Sequence, residues 1–121
     1  MDRFLFQPKH RLLTQQSFSR VFEQNSMRAS RGAILLLAAR NDLGHPRLGL
    51  VIRKKFVKTA AGRNLIKRLA REEFRLRQHQ LQGVDIIVLN RAGSDELAKP
   101  ELRKLYTKAF DSLERQLKAD K

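Results

Sequence analysis

Ten of the 25 residues from 53 to 77 are Lys or Arg and two are acidic, so this segment carries +8 of the chain's formal +14. The chemistry open to such a row is the neutralisation of phosphates, and its spacing makes the row orderly. At about 100° per residue, a helix over 62–76 places Arg63, Lys67, Arg68, Arg71 and Arg75 on one arc with Asn64 among them. Gly62, Leu65, Ile66, Leu69, Ala70 and Leu76 fall on the opposite arc. One side can enter a core while the other presents fixed cations, and the matching partner is a polyanion.

Side-chain catalysis finds little material. There are no cysteines, which excludes disulfides, thiolate catalysis and Cys-ligated zinc. His10, His45 and His79 lack metal-ligand spacing and read as surface residues. Glu72-Glu73 and Asp95-Glu96 are adjacent pairs, and neighbours on a helix point about 100° apart, so they make poor joint ligands. Glu73 is instead spaced to pair with Arg77 at i+4. A metal-dependent nuclease needs several convergent carboxylates, and Gly44 and Gly49 do not form a phosphate-binding loop. Binding is favoured, with no catalytic residue and no protein-held metal expected. Phe18 and Phe22 lie between Arg11 and Arg20. Their spacing suits a core stripe, and aromatics beside cations also suit stacking on single-stranded nucleic acid. Both roles stay open at this point.

The elements that must position these residues follow closely along the 121-residue chain, which reads as one domain over 1–121. Residues 1–84 carry 18 basic and 5 acidic side chains against 8 and 7 in 85–121. This asymmetry suggests one nucleic-acid face and a C-terminal part that mainly builds structure. No stretch approaches the ~20 apolar residues of a membrane span, and residues 1–8 lack the apolar region of a secretion signal. Thr14 can cap a helix to about Asn25, with Leu13 and Phe18 placed as a hydrophobic staple. An apolar run over 33–40 and an alternating run over 47–53, joined by the polar turn 41–46, read as an antiparallel hairpin. Residues 26–32 are a loop or an extra short strand. The basic helix, with Thr59 as candidate cap, leads to a buried strand over 84–90. Pro100 opens a last helix whose stripe runs through Leu102, Leu105, Tyr106, Ala109, Phe110, Leu113 and Leu117. The order α-β-β-β-α-β-α, counting 26–32 as a strand, makes a mixed α/β (α+β) chain and a two-layer α-β sandwich. Local rules expect any parallel crossover to be right-handed.

The stretch Leu48-Gly49-Leu50-Val51-Ile52-Arg53-Lys54-Lys55, then Val57-Lys58 and Arg63-Asn64-Leu65-Ile66-Lys67-Arg68-Leu69-Ala70-Arg71, resembles the protein component of bacterial ribonuclease P. The resemblance extends from Arg11-Leu12 and Phe18…Val21-Phe22 to Asp85-Ile86-Ile87-Val88. It implies an RNA-binding accessory subunit of an endoribonuclease. Its RNA partner, which requires Mg²⁺, removes the 5′ leader from precursor tRNA. The protein binds the RNA subunit and the leader and raises substrate and metal affinity. Ribonuclease P RNA and precursor tRNA are the implied partners and the cytoplasm the implied location. No obligatory protein partner and no protein-bound cofactor are expected.

By that resemblance Arg63, Asn64, Lys67, Arg68 and Arg71 contact RNA, with Arg11, Lys54, Lys55 and Lys58 on the same basic surface. Phe18 and Phe22 line a leader cleft. The family fold, like the second domain of a small-subunit ribosomal protein, implies a left-handed β-α-β crossover, and this replaces the right-handed expectation. Two positions depart from the pattern. Leu65 stands where the motif has its second Arg, and Leu36 stands where many members carry an aromatic in the cleft strand. The alternative reading is another basic RNA-binding module, such as a small ribosomal protein.

Overall fold

The computed structural model describes residues 8–11 and 14–119. Leu12 and Leu13 lie outside these, and with them the staple expected between Leu13 and Phe18. Helix α1 spans Gln15–Gln24 and is capped by Thr14, whose hydroxyl accepts the Ser17 N–H at 3.0 Å. Strands β1 (Met27–Arg31) and β2 (Ile34–Arg40) follow, then β3 (Arg47–Val51). Helix α2 spans Ala60–Arg77, β4 Val84–Asn90 and α3 Lys99–Ala119. Residues 26–32 thus resolve into a strand, and the element order is the one the sequence implies.

Strand pairing departs from local expectation. The sheet order is β1-β2-β4-β3. Strands 33–40 and 47–53 do not form a hairpin: β4 inserts between them, antiparallel to β2 and parallel to β3. All seven residues of β4 are buried, and only a central strand, covered on both faces and paired on both edges, can hide such a run. The hairpin that does form joins β1 to β2, with Arg31 opposite Ile34. Gly32 makes its tight turn at φ +56°, a backbone region that other residues seldom enter.

One sheet face carries the main core. Ile34, Leu36, Ala38, Leu48, Val84, Ile86 and Val88 pack against Ile66, Leu69, Ala70 and Phe74 of α2 and Leu102, Tyr106, Phe110 and Leu113 of α3. The buried Tyr106 hydroxyl donates to the Ile66 carbonyl at 3.0 Å, tying α3 to α2. Burial pushes its phenol pKa up. The opposite face is partly covered by α1, where Val21 and Phe18 meet Leu35, Leu37, Ala39, Ile87 and Leu89. Leu36 therefore points into the main core, away from α1, and cannot be the cleft position expected of it; Leu35 and Leu37 flank it on the α1 side. Leu76 also departs from expectation. It is exposed, because the buried arc of α2 centres on Ile66, Leu69, Ala70 and Phe74.

The crossover's hand follows from the hydrogen bonds. Asn41 N–H donates to the Gly83 carbonyl and Arg91 N–H to Ala33, so odd-numbered peptide groups of β4 face β2 and even-numbered ones face β3. Val84, Ile86 and Val88 turn their side chains to the helices. For L-residues viewed from the helices with β4 running upward, β3 then lies to its right. The path β3–α2–β4 returns leftward, which makes the crossover left-handed against the general rule.

Candidate RNA-binding surface

The turn before α2 is built to hold cations still. Thr59 caps the helix by accepting the Gly62 N–H at 3.1 Å. Arg63, half-buried, turns its guanidinium back to donate to the carbonyls of Val57 and Lys58 at 3.0 and 2.9 Å. It thereby braces the segment that bears Lys54, Lys55 and Lys58, all exposed. Lys55 Nζ lies 5.5 Å from the Phe56 ring centroid, within cation–π reach. Along α2, Asn64, Arg68 and Arg71 are exposed and Lys67 is half-buried. Leu65, the departure from the motif, is partly buried against the core and adds no polar group to the row.

Arg68 Nε sits 4.0 Å from Glu72, whose other oxygen accepts from Arg103 at 3.1 Å. Surface pairs of this kind are worth at most about 1 kcal/mol, so a phosphate can displace the carboxylate from Arg68 at small cost. Arg77 behaves differently. It donates to Glu73 at 2.9 Å and to Asp111 and Glu114 at 2.6 Å each. Burial works to lower its pKa, but the bonds to Asp111, Glu114 and Glu73 outweigh this and raise it. The Glu73–Arg77 pair is thus present as expected, while Arg77 is committed to joining α2 to α3. Arg75 is half-buried.

Arg11 lies apart from α2 in sequence, but its backbone bridges in parallel to Leu48 of β3, which leaves its exposed side chain beside that edge strand. On α1, Phe18 is half-buried in the second core and Phe22 is 43% exposed. The two aromatics therefore divide the roles left open above: Phe18 is mostly wall and Phe22 offers a ring to solvent. His10 is buried, contrary to its reading as a surface residue. Its ring lies edge-on to His45 and Phe74 at 6.1 and 5.9 Å, where it packs the N-terminal segment onto α2.

Two positioning residues escape the sequence reading. Asp85 is fully buried and receives Arg47 through two bonds of 2.8 and 2.7 Å and Asn41 at 2.7 Å. The hydrogen bond and charge of Asp85 raise the Arg47 pKa despite burial. Arg20 of α1 also approaches Asp85 at 3.5 Å and donates to the Arg40 carbonyl, which fixes α1 over the sheet. The second residue is Asn90, buried at the end of β4. Its Oδ1 accepts the Arg53 N–H at 2.7 Å and its Nδ2 reaches the Arg53 carbonyl at 3.3 Å, anchoring the start of the basic segment. A lone polar residue inside or closing an apolar strand is the sequence signal for both.

The family described as Ribonuclease P matches residues 6–114. The chain is 44% identical over 115 residues to the ribonuclease P protein component of Photobacterium profundum, covering 95% of this chain and 97% of that protein. It is 49% identical over 110 residues to that of Proteus mirabilis, covering 91% and 92%. Among solved structures, the RNase P protein of Staphylococcus aureus superposes with a TM-score of 0.77 at 23% identity, covering 84% of this chain and 93% of that one.

Proposed function

The chain belongs to the ribonuclease P protein family, and on that premise we propose how it serves its holoenzyme. A ribonuclease P protein component is part of an endoribonuclease and partners the ribonuclease P RNA. In our reading the RNA cuts the 5′ leader from precursor tRNA in the cytoplasm, and this chain contributes binding rather than a reacting group. Asn64, Lys67, Arg68 and Arg71, with Lys54, Lys55, Lys58 and Arg11, hold RNA phosphates. Arg63 holds the loop that presents three of these cations. Phe22, with Phe18 behind it, receives an unpaired base of the leader in the cleft beside α1.

The observation that carries this reading is the exposed row on α2, backed by the buried Ile66, Leu69, Ala70 and Phe74 and flanked by a braced basic segment. Lys and Arg contacts to phosphate position a strand with little regard to sequence, which suits a protein that must accept many leaders. Each phosphate neutralised also releases counterions, so binding should fall steeply with salt. Mg²⁺ belongs to the RNA side in this account. The chain's part in metal affinity is to gather RNA and substrate so that their phosphates converge. The test is reconstitution with a bacterial ribonuclease P RNA and a precursor tRNA at low Mg²⁺. Adding the chain is expected to speed leader removal over RNA alone, and no gain overturns the proposal.

A further inference from the structure

Between the first turn of α2 and the turn 94–97 lies a cavity of about 300 Å³. Its lining is mixed: the partly buried Leu65 and Leu97 give apolar wall over the buried Val57, Ile66 and Leu102, Thr59 and Ser94 add hydroxyls, and the exposed Lys58 and Asp95 stand at the edge of its mouth. Gly62 shapes it: a Cβ there would meet Val57 Cγ1 at 2.7 Å and Thr59 Oγ1 at 2.8 Å, so only glycine lets the helix start this close to Val57. The volume stands at the small end of ligand pockets, roughly 300–1,000 Å³, and suits one planar ring system.

The mouth is continuous with the basic surface, since Lys58 belongs to both. A phosphate held at Lys58 would leave its own base beside the opening. Asp95 is exposed, and an acid at the rim of a polyanion-binding surface is out of place unless it meets donors. A carboxylate offers two adjacent acceptors. Guanine alone among the RNA bases presents two adjacent N–H donors, N1–H and N2–H, on its Watson–Crick edge. Unpaired RNA bases are characteristically splayed out and read on that edge. Resting on the RNA-binding role proposed above, we infer that this pocket takes an unpaired guanine of the RNA partner. The ring lies against Leu65 and Leu97 and Asp95 accepts its two donors.

Asp95→Asn gives the decisive test, because the competing effects have opposite signs. Removing a negative charge near RNA should tighten binding through general electrostatics, whereas loss of the paired acceptor should weaken it roughly tenfold, the size of one good bidentate base contact. Affinity is measured in two arms, for ribonuclease P RNA alone and for precursor tRNA by the assembled holoenzyme. The arm that weakens identifies which RNA supplies the base. Leu97→Trp, which fills the cavity, should weaken the same arm without changing its salt dependence. Unchanged or tighter binding of Asp95→Asn in both arms overturns the inference, whatever Leu97→Trp does. If Arg68→Ala still weakens binding in that case, the pocket fails while the RNA-binding reading stands.

Discussion

Arg68 and Arg77 belong to the same helix, yet their guanidinium groups do opposite work. Arg68 is exposed and loosely paired with one carboxylate. Arg77 is mostly buried and held by three, two of them on α3. The same division separates the exposed lysines 54, 55 and 58 from Arg47, whose charge is spent on Asp85. Cation count therefore overstates the surface open to phosphate. What decides a basic residue's role is whether the chain has folded a carboxylate against it.

The contrast can be broken most forcefully at Asp85. Asp85→Ala leaves Arg47 and Asn41 without their buried acceptor and should cost about 3–5 kcal/mol, as unpairing a buried charge does. Chemical denaturation reads this, and a loss under 1 kcal/mol would mean that Arg47 re-pairs with water. Arg77→Met comes next. Its partners are partly exposed, so a loss of about 2 kcal/mol is expected after allowance for solvent screening. RNA affinity at fixed salt should hold once folding is secured, and a large drop would place Arg77 on the RNA face after all. The smallest effect sharpens the same distinction on α1. Phe22→Ala should lower affinity for leader-bearing substrate by about 1 kcal/mol, the low end of one base stack, and leave affinity for mature tRNA and the melting temperature unchanged. Equal losses for both substrates would remove Phe22 from the leader cleft.

Much of this architecture is local and therefore readable in the chain. Thr14 and Thr59 cap their helices as their positions suggest, and the α3 stripe from Leu102 to Leu117 is buried where it points to the core. The strand pairing is not local. The 41–46 turn has the length of a hairpin connection, but the partner of β2 is set by where the wholly buried β4 can hide. Register also decides faces: one residue's difference puts Leu36 in the main core and Leu35 and Leu37 toward α1. The cationic arc of α2 is legible from its spacing, whereas the diversion of Arg77 to α3 depends on partners distant in sequence, and that of Arg63 on how the turn before the helix folds back to offer the Val57 and Lys58 carbonyls. His10 is a similar case, since nothing beside it in the chain announces the ring of Phe74.

The central claim is that outward cations on α2 grip RNA phosphates while the inward ones hold the fold. The salt dependence of binding to ribonuclease P RNA tests it most directly. With Lys67, Arg68 and Arg71 all changed to Ala, the slope of log affinity against log salt should shallow by about 2–3, at about 0.7–0.9 per lost contact. Arg77→Met should leave it as in the unaltered chain. A slope that stays put in the triple variant, or that shallows equally with Arg77→Met, would contradict the account.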